Sequence, residues 1–196
     1  MHIFFRYLRL FLWSPFLIPH ICLYITKKRV LNSDISVAYN YREWDRKADV
    51  LSFLHLIITD KWFRTIFYYR IGKMSRFILY PPPCPDFIID RRCVIGKGLL
   101  GIHPFSTIIN ALSIGNNFIV RNNITIGSDN EGGRPIIGDN VVIYVNSCVF
   151  GKIKIGNNVV IGAGTVLKKS VPDNCVVIGN PARIIKKDGK KVKITL

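Results

Sequence analysis

A six-residue repeat in the second half of the chain limits the fold more than any other feature. Aliphatic residues recur at every sixth position over two long stretches. The first series comprises Ile102, Ile108, Ile114, Val120 and Ile126, and the second comprises Ile137, Ile143, Val149, Ile155, Ile161 and Leu167. A unit this short cannot bury its apolar side alone, so neighbouring units must stack into a continuous core.

Small or polar residues follow many of these aliphatic positions. The pattern Ile-Gly-Asn-Asn occurs at residues 114–117 and again at 155–158. Glycine lets the chain turn a corner, and asparagine tolerates the left-handed backbone region. Three short faces of six residues each then close a triangular coil. We therefore predict a mainly β fold, a parallel β-helix of hexapeptide repeats over residues 87–186, preceded by a small α-helical N-terminal region.

The series is interrupted once, by a polar and glycine-rich insertion. Ile126 and Ile137 are eleven positions apart, so the interval holds five residues more than one repeat. The extra residues lie within the segment 128–135, which reads Ser-Asp-Asn-Glu-Gly-Gly-Arg-Pro. Loops that leave a regular scaffold often carry functional residues. We therefore expect this loop to contribute to a functional site.

The N-terminal segment is apolar and is followed by positive charge. Residues 10–26 contain no Asp, Glu, Lys or Arg, and Lys27, Lys28 and Arg29 come next. The run is shorter than the roughly 20 apolar residues that a spanning helix needs, and it lacks the small-residue cleavage site of a signal peptide. Residues 1–26 are therefore expected either to contact a membrane surface or to pack on the core.

Two helices are predicted between this segment and the repeat. They cover residues 43–58 and residues 61 to about 79, with Asp60 as the N-cap of the second. The stiff sequence Pro-Pro-Pro-Cys-Pro at residues 81–85 favours a boundary. The expected organisation is a membrane-associating N-terminal part (1–86), the β-helix domain (87–186) and a basic C-terminal tail (187–196).

Composition limits the partners and the compartment. The chain of 196 residues has 28 Lys and Arg against 12 Asp and Glu, for a formal net charge of +16. Such a balance favours anionic partners without choosing among them. No recognition motif supports nucleic-acid binding. The five cysteines are odd in number and none are at metal-binding spacing, so we expect a reducing compartment.

Several motifs in the second half resemble those of a known enzyme family. They are found at residues 98–104 (Gly-Leu-Leu-Gly-Ile-His-Pro), 161–166 (Ile-Gly-Ala-Gly-Thr-Val) and 177–183 (Val-Ile-Gly-Asn-Pro-Ala-Arg). The chain resembles the left-handed β-helix acyltransferases built from hexapeptide repeats, and within them the branch of serine acetyltransferases and capsular polysaccharide O-acetyltransferases. The resemblance implies a left-handed coil, a homotrimer, and acetyl-CoA as the acyl donor in the groove between neighbouring subunits.

The resemblance also assigns roles to residues. His103 matches the family's catalytic histidine and is expected to act as the general base. Arg134 in the inserted loop is expected to contact the acceptor, although a solvated loop arginine is an equal alternative. The expected CoA-binding residues are Gly127, Tyr144, Gly162, Ala163, Gly164, Lys168, Lys169 and Arg183. Tyr144 stands where the family usually has glycine and is expected to reshape the groove.

Two departures from serine acetyltransferases bear on the acceptor. Ile102 replaces an Asp that precedes the catalytic histidine, and Gly133-Arg134-Pro135 retains only one residue of an Arg-His pair. In the family, this Asp and the Arg-His pair bind the ammonium and carboxylate groups of serine. We therefore expect a sugar hydroxyl of a cell-surface or capsular polysaccharide as the acceptor, and a cytoplasmic location at the inner face of the membrane. Serine O-acetylation for cysteine synthesis and a non-enzymatic scaffold are the alternatives. His103 is the only histidine after residue 86, so no metal site is expected.

Overall fold

A computed structural model describes residues 16–44, 47–78 and 80–196. The chain divides into two compact units, Met1–Pro83 and Cys84–Leu196. The boundary falls within the proline-rich connector, three residues before the predicted position.

The first unit is helical. Its elements are α1 (residues 16–26), α2 (Lys28–Tyr41), α3 (Val50–Thr59), α4 (Lys61–Ile71) and a 3-10 helix (Gly72–Phe77). Of the N-terminal segment expected to contact a membrane, residues 1–15 lie outside the described residues. The same holds for residues 45, 46 and 79 of the two predicted helices.

Capping residues set the ends of the last two helices. The side chain of Asp60 accepts hydrogen bonds from the backbone N–H groups of Trp62 (2.9 Å) and Phe63 (3.0 Å), which confirms the predicted N-cap. Helix α3 begins at Val50 rather than at the predicted residue 43, because Asp49 caps it. Helix α4 ends at Ile71 rather than near the predicted residue 79, because Gly72 takes a positive φ of 60°.

An aromatic cluster and one buried ion pair hold this unit together. The ring of Phe53 stacks on Tyr24 with centroids 4.5 Å apart and meets Phe67 at 5.1 Å. Asp34 of α2 receives two hydrogen bonds from Arg70 of α4, at 2.9 and 3.0 Å. The Asp34 side chain has no exposed surface, and that of Arg70 is 6% exposed. The pair therefore joins two helices inside the apolar core.

The second unit is a parallel β-helix with three faces. The first sheet contains β1 (Phe87–Ile89), β4 (Thr107–Ile109), β7 (Thr125–Gly127), β10 (Cys148–Phe150) and β13 (Val166–Leu167). The second sheet contains β2 (Val94–Ile95), β5 (Ser113–Ile114), β8 (Ile136–Ile137) and β11 (Lys154–Ile155). The third contains β3 (Leu100–Gly101), β6 (Ile119–Val120), β9 (Val142–Ile143), β12 (Val160–Ile161) and β14 (Cys175–Ile178). Every pairing among these strands is parallel, so the chain winds through five coils.

The predicted aliphatic columns form the core, with one shift. All six members of the series from Ile137 to Leu167 are buried. In the other series, Ile108 is 42% exposed, and Ile109 is fully buried and pairs with Ile126. Gly101 pairs with Val120, so eight positions rather than six separate the inward residues Gly101 and Ile109. The two additional residues leave the coil as a bulge that contains His103.

The Ile-Gly-Asn-Asn pattern forms a polar ladder between the second and third sheets. Asn117, Asn140, Asn158 and Asn174 have φ between 55° and 57°, and their side-chain amides bond from coil to coil at 2.9–3.0 Å. Gly138 precedes this turn, and a Cβ there would lie 2.5 Å from Oδ1 of Asn157 on the next coil. Glycine is therefore required at that position by the stacking of the coils.

The C-terminal segment differs from its expected form. Residues 187–196 were expected as a basic tail, but β15 (Arg183–Lys187) and β16 (Lys190–Thr195) form an antiparallel hairpin on β14. Lysine-rich composition obscured the strand pattern in the sequence.

Candidate active site

Two corners of the β-helix hold the residues that the sequence singled out. The His103 corner lies between the third and first sheets and comprises residues 102–106, 121–124, 144–147 and 162–165. The loop corner lies between the first and second sheets and comprises residues 90–93, 110–112, 128–135, 151–153 and 168–170. The strands of the first sheet begin at the His103 corner and end at the loop corner, so the two corners are separated by the length of these strands.

His103 occupies an exposed and unusual backbone position. Its φ is 47°, and Ser106 three residues later has a φ of 50°. Residues other than glycine seldom adopt this region, and histidine is among those that do so more often. The carbonyl of His103 accepts a 2.7 Å hydrogen bond from the backbone N–H of Phe105, which closes the bulge. The bulge thus presents the imidazole outward from the coil.

The stacked coils bring five of the predicted site residues to this corner or beside it, namely Tyr144, Gly162, Ala163, Gly164 and Arg183. Ile102, Arg121, Tyr144 and Gly162 each follow the inward residue of a third-sheet strand, so they stack in one column. Ala163 and Gly164 continue the turn after Gly162 and are exposed. Arg183 lies beside the same column, because it pairs with Ile178, whose Cγ2 would be 2.7 Å from a Cβ at Gly162.

Packing and backbone conformation within the chain also explain the glycines at positions 162 and 164 of this corner. A side chain at Gly162 would collide with Ile178, and Gly164 has a φ of 68° with open space around it. Gly127 at the end of β7 is different. Its φ is not positive, and an added Cβ would meet only Thr125 Cγ2, at 4.0 Å. Among the described residues, no neighbouring atom requires glycine at residue 127.

Asp129 organises the inserted loop. Its carboxylate accepts hydrogen bonds from the backbone N–H groups of Gly133 (2.8 Å), Glu131 (3.1 Å) and Lys152 (3.3 Å). Since Lys152 belongs to the next coil, these bonds hold the loop against the β-helix. The loop borders a groove of about 510 Å³ that also carries Lys152 and Lys154.

Arg134 lies in this loop and is directed along the loop corner. Its Nη1 donates to Asn110 Oδ1 at 3.4 Å and to the carbonyl of Ala111 at 3.3 Å. Lys168 and Lys169 are exposed at the same corner, and Lys168 Nζ is 5.0 Å from the ring centroid of Phe150. Within one chain, the predicted residues Arg134, Lys168 and Lys169 therefore lie on the loop corner, Gly127 directly precedes it at the end of β7, and His103 belongs to the other corner.

Two titratable groups of the loop corner, Asp90 and Cys93, are unsuited to proton abstraction. Hydrogen bonds from Arg92 lower the pKa of Asp90 to about 2, and the charge of Arg134 acts in the same direction. Burial raises the pKa of Cys93 to about 11, so its thiol stays protonated near neutral pH. The described residues contain no group of three or more His, Cys, Asp or Glu side chains that could hold a metal ion.

The chain is similar to known bacterial transferases. Residues 134–169 match the family model described as bacterial transferase hexapeptide (six repeats). A serine acetyltransferase of Staphylococcus aureus is 41% identical over 125 residues, which cover 62% of this chain and 56% of that protein. The chain is therefore similar to the hexapeptide-repeat transferases in its repeat region. It spans little more than half the length of the curated relatives that it matches.

Solved structures share the fold of this chain. A Neisseria gonorrhoeae serine acetyltransferase in complex with serine has a TM-score of 0.67 and 25% identity, over 85% of this chain and 72% of that one. A serine acetyltransferase in complex with CoA has a TM-score of 0.64 over 83% and 72% of the two chains. Its 22% identity shows the fold alone. With the family match, this likeness confirms the predicted left-handed parallel β-helix.

Sequence reasoning missed one residue of the His103 corner. Arg121 belongs to the same column as Tyr144, and its guanidinium carbon lies 4.7 Å from the centroid of that ring. The signal was available in the repeat, because Arg121 directly follows the inward residue Val120. No motif marks it, so it was not singled out.

Proposed function

We propose that this protein is an acetyl-CoA-dependent O-acetyltransferase in which His103 is the general base. The observation that carries the proposal is the outward bulge at His103, with its left-handed backbone, at the position of the family motif. The imidazole takes the hydroxyl proton as the acceptor oxygen attacks the thioester carbonyl. The carbon–sulfur bond then breaks, and CoA leaves with the proton that His103 returns. The serine acetyltransferase relatives and the CoA complex among the structural neighbours support this reaction.

The same proposal includes a homotrimer. His103 and Arg134 are on different corners of one chain, so a site that uses both takes its second corner from a neighbouring chain. A groove between the His103 corner of one subunit and the loop corner of the next would hold acetyl-CoA along small residues such as Gly127 and Gly164. Lys168, Lys169 and Arg183 then supply charge for the CoA phosphates.

Two acceptor classes follow from different observations. The relatives named serine acetyltransferase favour L-serine. Ile102 and the retention of only one basic residue, Arg134, where the family has an Arg-His pair favour a sugar hydroxyl of a surface polysaccharide, which needs no ammonium-binding group. Measuring CoA release with L-serine and with a panel of glycosides tests the proposal. Turnover of one of these acceptors supports it, and failure of the protein to bind acetyl-CoA would overturn it.

A pair of glycine substitutions tests the proposed acetyl-CoA groove between neighbouring subunits. Gly127→Ala should leave the melting temperature unchanged, because the new Cβ meets no atom closer than 4.0 Å. We expect it to raise the KM for acetyl-CoA by about tenfold, since the pantetheine arm then loses its close approach to the backbone. Steady-state kinetics and thermal unfolding measure the two effects.

Gly138→Ala is the matched control for this substitution. Its Cβ would lie 2.5 Å from Asn157 Oδ1, so the coils must shift and the melting temperature should fall. Gly138 lies on neither of the two functional corners. A tenfold rise in KM with Gly138→Ala but not with Gly127→Ala would contradict the proposed groove.

We also propose peripheral contact with the inner face of the membrane through α1. Leu17, His20 and Tyr24 on one side of α1 are buried, and Ile18 (60%) and Ile25 (62%) on the other side are exposed. A helix that is apolar all round needs a second apolar surface. The exposed cations Lys27, Lys28 and Arg29 follow directly and complement anionic headgroups. No helix among the described residues is long and apolar enough to cross a bilayer.

Vesicle co-sedimentation tests this contact. We expect binding to vesicles rich in phosphatidylglycerol and little binding to phosphatidylcholine, with a several-fold loss for the double variant Ile18→Ser, Ile25→Ser. Leu51→Ser is the control, because Leu51 is 66% exposed on α3 and lies away from α1 in the sequence. Equal losses for both variants, or no binding by the unmodified protein, would contradict a role for α1.

A further inference from the structure

Arg121 is a cation at the corner that carries the proposed base. The backbone N–H of Ile102 donates to the carbonyl of Val120 at 2.8 Å, which places the start of the His103 bulge over Arg121. The hydroxyl of Thr107, at the end of the bulge, donates to the carbonyl of Arg121 at 3.0 Å. The bulge therefore rests at both ends on the turn that begins with Arg121.

The side chain of Arg121 is held in place but not neutralised. Its guanidinium carbon lies 4.7 Å from the ring centroid of Tyr144, within cation–π range. Its Nε is buried and has no hydrogen-bond partner. Among the residues that the structure describes, carboxylates pair with Arg42, Arg70 and Arg92, but none pairs with Arg121. A fixed guanidinium without a counter-ion is well suited to bind a carboxylate.

The distance from the base limits which anion can bind there. Successive strands of a sheet are about 4.8 Å apart, so the guanidinium lies roughly one or two coil spacings from the His103 bulge. A small hydroxy acid or one sugar ring spans that interval. The phosphates of CoA are separated from its sulfur by the whole pantetheine arm, which is uncharged. An anion that reaches Arg121 while its reacting group is at His103 therefore belongs to the acceptor.

We infer that Arg121 binds a carboxylate of the acceptor and selects acceptors that carry a hydroxyl and a carboxylate together. The inference rests on the proposed acetyl transfer at His103. It holds for an amino acid such as L-serine and for a uronic acid unit of a polysaccharide. Ile102 adds no negative charge beside His103, so nothing at that position repels the carboxylate. Arg121 is thus a specificity-determining residue, and Tyr144 positions it.

Paired acceptors test this inference and separate the two sources of carboxylate. L-serine is compared with L-serinamide, and methyl glucuronide with methyl glucoside, in assays of CoA release. We expect the unmodified protein to prefer the carboxylate member of one pair, and Arg121→Gln to reduce that preference in kcat/KM at least tenfold. Arg76→Gln, the same substitution at an exposed side chain of the 3-10 helix and outside both corners, should keep the preference.

Other outcomes would overturn the inference. If Arg121→Gln lowers kcat equally for charged and neutral acceptors, Arg121 acts on the transition state or on the fold. If it raises the KM for acetyl-CoA instead, Arg121 binds the donor. If no acceptor is turned over, calorimetric titration with L-serine and methyl glucuronide in the presence of CoA replaces the assay. Absence of binding by the unmodified protein then overturns the inference, and CoA binding separately reports on the proposed function.

Discussion

Replacing His103 with asparagine should lower acetyl transfer by about 10²- to 10⁴-fold, the usual contribution of a general base. Asparagine is the informative substitution because it adopts the left-handed backbone that His103 requires, as it does at Asn117 and Asn140. The bulge therefore keeps its shape while the proton acceptor is lost. The expected change is in kcat, measured as CoA release at saturating acetyl-CoA.

Two controls make this result specific. Ser106→Asn changes the same bulge at another left-handed position and should leave the rate within a few-fold of the original. Binding of CoA to His103→Asn, measured by calorimetry, should be unchanged, because the imidazole acts on the acceptor proton. Full activity of His103→Asn would remove the base from the proposed mechanism, and a lowered melting temperature would point to a structural role.

Removing one partner of the buried ion pair should strongly destabilise the helical unit. Arg70→Met leaves the Asp34 carboxylate, which has no exposed surface, without its two hydrogen bonds from the guanidinium. Breaking a buried pair in this way costs about 3–5 kcal/mol. All three tryptophans of the chain precede residue 84, so tryptophan emission during urea unfolding reports on this unit.

The controls for this prediction separate charge from packing. Arg29→Met makes the same change at an exposed position of α2 and should not shift the unfolding midpoint. The double variant Asp34→Leu, Arg70→Met should recover much of the loss, since replacing both partners by apolar residues is often neutral. A double variant as unstable as Arg70→Met would show that the pair contributes shape rather than charge compensation.

The sequence predicted the β-helix core because most inward positions are filled by an aliphatic residue at fixed spacing. It failed where the spacing changes, between Gly101 and Ile109. Ile108 and Ile109 are adjacent and both aliphatic, so only the strand pairing reveals which one is buried. The same bulge carries His103, which a family motif did mark. The departure from the repeat therefore coincides with the residue that we propose as the general base.

The remaining differences have separate physical causes. The sequence analysis missed Arg121 because its proposed role depends on where Tyr144 holds its side chain. A repeat in the sequence predicts only backbone positions. The hairpin of β15 and β16 was hidden because half-exposed strands rich in lysine lack a clear alternation of apolar and polar residues. The predicted site residues fell on two corners because the inserted loop and the histidine motif belong to opposite ends of one sheet.

The hairpin has a consequence for the behaviour of the molecule in concentrated solution. A stack of parallel strands ends in unpaired backbone groups, which can recruit further strands from other molecules. The third sheet ends in β16, whose residues Lys190, Lys191 and Lys193 put three positive charges along its free edge. Two such edges repel one another, and the antiparallel turn breaks the register that another coil would need. At that end of the sheet, growth into fibres is opposed by charge and by geometry together.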